Sequence, residues 1–123
     1  NTRHALFLAL QRRETFATSG PRLSLRMFGG WQLNQELAAT PDGIAKSDAR
    51  GVPMGSPLPA RAGSGVPQFV IFAAQDPLGA HLDRIQIIKG WVDEDGNHNP
   101  VALRLGLFHQ GKMTIMQGAH CRH

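Results

Sequence analysis

Hydrophobic and polar positions alternate with a period of two along much of this chain, and a helical period shows once, at its start. The clearest alternation spans residues 82–96, LDRIQIIKGWVDEDG. Leu82, Arg84, Gln86 and Ile88 fall on one face of an extended chain, and Asp83, Ile85, Ile87 and Lys89 on the other. β-branched residues at 85, 87 and 88 favour a strand, which Gly90 and Asp95-Gly96 end. Both faces mix polarities. That predicts a central or partly covered strand around which the rest is organised.

Residues 1–13 carry the helical pattern. Thr2 is placed to cap it, its hydroxyl accepting from an N–H of the first turn. Leu6, Ala9 and Leu10 share an apolar stripe that Ala5 and Leu8 widen, and such a face needs a partner, from the sheet or from chain upstream. Arg12 and Arg13 stand where positive charge offsets the negative end of the helix dipole. Residues 14–19 (ETFATS) are extended, and Gly20-Pro21 turns the chain. Over 22–28, Leu23, Leu25 and Met27 oppose Arg22, Ser24, Arg26 and Phe28, as a half-buried strand requires. Gly29-Gly30-Trp31 closes it, with Trp31 read as a core or rim plug rather than a ligand platform.

Between residues 34 and 65 the pattern dissolves. Segments 38–51 and 57–65 are predicted as loops, with Val52-Pro53-Met54-Gly55 as an edge piece between them. The run QFVIFAA at 68–74 is nearly all apolar and is predicted to be the most buried strand. Asp76-Pro77-Leu78-Gly79 makes a tight turn, after which this run is expected to pair antiparallel with the strand that starts at 82. Farther on, Val101, Leu103, Leu105 and Leu107 alternate, and Gln110-Gly111 predicts a terminal hairpin into 113–116. The fold class is therefore α+β, mostly β: one N-terminal helix, then an antiparallel, sandwich-like sheet with long loops.

Composition refines this picture in three places. With 123 residues the chain has the length of one domain, and its 14 glycines and 8 prolines favour turns over long helices. The net charge of +4 is concentrated in residues 1–26, where Arg3, Arg12, Arg13, Arg22 and Arg26 face only Glu14. Such an end attracts phosphate or an acidic partner, or is simply a solvated face. A single cysteine, Cys121, excludes an internal disulfide framework. The apolar runs 5–10 and 69–74 fall far short of the ~20 residues a membrane helix needs, so no membrane partner is expected. The first run also lacks the basic leader and cleavage site of a secretory signal, and the chain opens as though cut from something longer. The single cysteine leaves the compartment undecided.

Candidate chemistry is sparse. His98, His109, His120, Cys121 and His123 crowd the last quarter, but zinc needs three or four donors held at fixed distance, and a free terminus does not hold them. No metal ligand and no catalytic residue is assigned. Ser19 and Ser24 lack the context of an activated nucleophile, and Asp93, Glu94 and Asp95 cluster at a solvated turn. The better motivated site is an anion contact. Thr18-Ser19-Gly20-Pro21-Arg22 offers hydroxyls, backbone amides and a guanidinium, with Arg12 and Arg13 near. Arg12, Arg13, Ser19 and Arg22 are its candidate residues. Phe16 and Phe28 beside Arg22 and Arg26 only hint at a nucleic-acid face, with no recognised motif, so nucleic acid is not the expected partner.

Two blocks carry a resemblance: NTRHALFLALQRRETFATSGPR at 1–22 and FVIFAAQDPLGAHLDRIQIIKGWVDEDG at 69–96, with Phe28-Gly29-Gly30-Trp31 and Pro53-Met54-Gly55-Ser56 between them. Over residues 1 to about 97 the chain resembles the C-terminal portion of a bacterial domain-of-unknown-function family. That family is related to the PHP (polymerase and histidinol phosphatase) metal-dependent hydrolases. The resemblance implies divalent metal ions in a distorted β/α barrel, held by ligand motifs upstream of residue 1, so none is carried onto this chain. It further implies that residues 1–20 end the barrel region, with 21–97 an appended β-rich part and 98–123 an atypical tail. The missing barrel would be the partner of the first helix. From Pro100 to His123 the chain departs from the family, as a reading-frame slip or assembly artefact would make it.

Overall fold

The computed structural model describes residues 2–34, 36–60, 65–107 and 114–117. The architecture is α+β and mostly β, with an N-terminal helix leading into antiparallel sheets. Helix α1 (Arg3–Gln11) starts where Thr2 Oγ1 accepts from the Ala5 N–H at 3.2 Å. Its C-terminus is a Schellman closure, in which Arg13 N–H donates to Leu10 and Glu14 N–H to Ala9, both at 3.0 Å. Arg13 takes the left-handed conformation there, at φ 59°, a place usually given to glycine.

The main sheet has the order β2-β1-β3-β6, with every neighbouring pair antiparallel. It comprises β1 (Ser24–Gly30), the short edge β2 (Val52–Pro53), β3 (Gln68–Ala74) and β6 (Thr114–Gln117). β3 is the central strand, as its apolar run predicts, with Val70 fully buried and Ile71 nearly so. Register places Phe28 beside Val70 on one face and Met27 beside Ile71 on the other. The first face carries the core: Phe28, Leu33, Leu37 and Val70, with Phe72 packed against them. Phe28 and Phe72 meet edge to face at 6.1 Å, a favoured aromatic geometry.

Two helices cover that face within a region expected to be loop, α2 (Glu36–Ala39) and α3 (Gly43–Arg50). Asn34 Oδ1 accepts from Leu37 N–H at the start of α2, and Lys46 pairs with Asp42 one turn away on α3. α3 approaches through small residues, since only Gly43 and Ser47 are buried in it. A Cβ on Gly43 would overlap the Leu37 carbonyl oxygen. The helix therefore packs without the apolar stripe that would have announced it. Trp31 sits half-buried at the rim, its indole N–H donating to Pro59 O at 3.1 Å.

β4 (Arg84–Val92) departs from its predicted place. It does not pair with β3, both of whose edges are filled by β1 and β6. It pairs only with β5 (His98–Leu107), in a separate two-stranded ribbon. The pair turns through a three-residue loop closed by Gly96 at φ 83°, and Asp93 accepts from the N–H of Asn97 at 2.8 Å. Ile88, Trp91 and Val92 stay exposed while Ile85, Ile87 and Lys89 are half-buried, so β4 is not central but is partly covered, on one face. The terminal hairpin is corrected as well, because β6 pairs with β3 and not with β5. The Gln110-Gly111 turn proposed for it lies outside the described residues.

Candidate functional site

The edge of β1 is where the structure opens a site. β2 covers only Phe28 and Gly29, and one further bond, Met54 N–H to Met27 O at 2.9 Å, extends the pairing. There Gly55 turns the chain away at φ 94°. A side chain at Gly55 would overlap the carbonyl oxygens of Arg13 and Arg12, so this turn rests directly on the C-terminal end of α1. In an antiparallel ladder alternate residues face the same edge, so Leu25 turns its N–H and C=O the way Met27 does. Neither group of Leu25 has a partner on that side among the described residues.

Beside this free edge lies a cavity of about 220 Å³. Phe16, Leu25, Met27, Pro53 and Met54 give it an apolar floor. Charge enters from Glu14, Arg26 and Asp48, the last presented by α3. Glu14 is already held by Arg12, whose Nε lies 3.1 Å from Oε1. What the cavity presents among the described residues is two unpaired backbone groups at its edge, an apolar floor and charges of both signs.

The anion residues expected from sequence fall into two places. Arg12 and Arg13 sit at the end of α1, with the Arg12 guanidinium engaged by Glu14. Ser19 is exposed in the turn that Gly20 makes at φ 94°. The Arg22 N–H, one of the amides expected to face an anion, donates to Asp76 Oδ2 at 2.8 Å. Asp76 Oδ1 accepts from Leu78 N–H at 3.0 Å. These N–H groups, Arg22's first, hold the Asp76 carboxyl below the usual aspartate range. Among the described residues no hydrogen bond or ion pair joins the Arg12-Arg13 end to the Ser19–Arg22 turn. The sequence places Asp76 at the first position of a Pro-containing turn, but the tie from its carboxylate to the Arg22 N–H was not foreseen.

Asp93 gathers its own partners at the ribbon turn. It accepts from Asn97 N–H and, through Oδ2, from Asn99 Nδ2 at 3.0 Å; these bonds, Asn97's first, lower its pKa. Of the five expected tail donors only His98 is described, at the start of β5. His109, His120, Cys121 and His123 lie outside the described residues. Among the described residues no three His, Cys, Asp or Glu side chains are arranged to hold a metal ion. None of the described helices is long and apolar enough to cross a membrane.

A family model for proteins of unknown function, DUF3604, matches residues 1–104. The chain belongs to that family. The DUF3604 match takes in α1, the β1 edge with its cavity, β3, β4 and the first part of β5. It runs past 97 to 104 and so takes in residues 100–104, which were expected to depart from the family. Neither the curated proteins nor the solved structures contain a match to the chain.

Proposed function

We propose that this chain is the C-terminal, non-catalytic portion of a PHP-like metal-dependent phosphoesterase or hydrolase. In this reading the divalent metal ions and their ligands belong to an upstream barrel. The present chain supplies structure and one wall of the substrate cleft. The described residues do not fit a metal site, so no catalytic step is assigned to them. The observation that carries the reading is the apolar face of α1. Leu6, Phe7 and Leu10 are 61%, 61% and 63% exposed, and α1 has no buried residue. A helix of nine residues is marginal on its own, and an unpartnered apolar face on it marks a contact surface. An upstream barrel would cover that face, bringing Arg12, Arg13, Ser19 and Arg22 to the rim of the cleft as its anion contacts.

The rival reading, a self-sufficient β-sandwich binding module, needs Leu6 and Leu10 covered by the chain itself, and they are exposed. A basic nucleic-acid-binding domain is the third, and salt-sensitive retention of the chain on a polyanion would favour it. The decisive assay incubates the chain with manganese, zinc or magnesium and a chromogenic phosphodiester or phosphomonoester. No turnover is expected from the chain alone, and clear turnover overturns the proposal. A longer protein that carries the upstream region should turn over the ester. It should also bind less of an apolar dye than the isolated chain, whose exposed α1 face is expected to bind it.

A further inference from the structure

The ribbon of β4 and β5 is a two-stranded sheet with large apolar side chains in water, and such a pair is marginal without a third strand. Ile88 is 70% exposed and Val92 57%. Which edge is open follows from the hydrogen-bond alternation. Asp93 N–H donates to Asn97 O at 3.1 Å, which makes 93 and 97 a hydrogen-bonded pair. Stepping back along the ladder, Trp91, Lys89 and Ile87 also bond to β5, while Val92, Gly90, Ile88 and Gln86 turn their N–H and C=O outward. On the other strand the outward series includes Pro100, opposite Gly90, which has no N–H to offer. The edge of β5 is therefore interrupted, and the edge of β4 is continuous.

We propose that β4 pairs with β4 of a second copy of this chain, antiparallel, about a two-fold axis at Gln86. The product is a four-stranded sheet, β5-β4-β4-β5, which meets the minimum a free-standing sheet requires. Charge complementarity selects the occupant and the register. Centred on Gln86, Asp83 of each copy lies opposite Lys89 of the other, and Ile85 opposite Ile87, all on one face. Arg84 stands opposite Ile88 on the other face. Centring on Ile88 would set Asp83 against Asp93, a like-charge pair, and centring on Ile87 would set it against Trp91. Opposite charges directly across an antiparallel pair stabilise it, and like charges do the reverse. Lys89 already lies on the face this requires, its ammonium 4.9 Å from the Trp91 ring centroid. Asp83 is exposed, with the neighbouring Arg84 guanidinium 2.6 Å from its carboxylate. An edge this long, apolar and free of proline is also what invites pairing with another chain. The inference does not rest on the upstream barrel, and it uses a different surface from α1.

The test is sedimentation equilibrium of the full chain across the micromolar range. A monomer–dimer equilibrium is expected. Gln86→Pro removes one outward N–H without touching a bond to β5, and should leave a monomer. Asp83→Lys should weaken dimerisation about ten-fold, and Asp83→Lys with Lys89→Asp should restore it. Circular dichroism of each variant, unchanged from the parent, shows that folding is not what moved. Leu6→Asp with Leu10→Asp should leave the dimer intact. The proposal is overturned by a chain that stays monomeric throughout, by a dimer that survives Gln86→Pro, by a dimer lost with the α1 variant, or by a charge swap that fails to rescue.

Discussion

The β1–β3 face and the α1 face carry the same kinds of side chain and meet opposite fates. Leu33 and Leu37 are 1% and 4% exposed, whereas Leu6 and Leu10 are above 60%. The difference is not in the residues but in what is opposite them. Leu33 and Leu37 close over a sheet that offers Phe28 and Val70, with the approach made close by Gly43 and Ser47. α1 touches the rest of the chain at its C-terminal end, where Gly55 meets the Arg12 and Arg13 carbonyls. α1 is held at one end and leaves Leu6, Phe7 and Leu10 exposed along its side, a patch of the kind that marks a contact surface.

Leu33→Ala should destabilise the chain by about 2–5 kcal/mol, because it deletes a fully enclosed side chain and leaves a cavity. Urea unfolding followed by circular dichroism measures it, and a loss under ~1 kcal/mol would mean the site collapses freely and the core is not closed. Next comes the joint between the two regions. Gly55→Ala places a methyl group on the Arg13 and Arg12 carbonyls and strains a positive φ, so a loss of roughly 1–3 kcal/mol is expected. A methyl at Gly90 meets nothing within 4 Å, so Gly90→Ala is the control and should change little. If the two substitutions behave alike, α1 is not anchored at that turn.

A smaller effect separates the sheet from its connections by pH. The Asp76 carboxyl is stabilised as the anion by the N–H groups of Arg22 and Leu78, so its pKa is lower folded than unfolded. Its contribution is therefore fully present above the unfolded aspartate range and is lost as pH falls through the folded value. Asp76→Asn should be less stable than the parent near neutral pH, and the two stability curves should converge in acid. Parallel curves down to the acid limit would show that the tie between the start of β1 and the turn after β3 contributes nothing. Because the group is exposed, screening keeps the difference small.

What could be read in advance was whatever depends on neighbours in sequence. The α1 cap at Thr2, the alternation of β1, the buried run of β3, the edge piece at Val52-Pro53 and the turn at Asp76 all have local causes, and all are present. Two classes of feature were not legible. α3 buries glycine and serine instead of a stripe, so periodicity had nothing to report. Adjacency in sequence predicts β3 beside β4, but β3 has long-range neighbours on both sides. The β1 edge site shares that second cause. It exists because the chain turns away at Gly55 just after β2 and leaves the outer edge of Leu25 without a partner among the described residues, and this depends on the register between strands far apart in sequence. The Ser19–Arg22 turn had the right composition for an anion contact, but Asp76 reaches its amide first.

The least effect expected is the most informative about α1. Leu6→Ser replaces an apolar side chain that is already 61% in water, so the folded chain loses little burial and its stability should move by no more than about 0.5 kcal/mol. Solubility and apolar-dye binding should respond far more than stability, because the substitution removes part of an exposed patch. If an upstream barrel covers α1 as proposed, the same substitution in a protein that carries it should cost about 2 kcal/mol or more, since there the leucine would be enclosed. Identical small changes in both contexts would mean that α1 has no covering partner upstream. A large cost in the short chain would mean that Leu6 packs against its own chain after all.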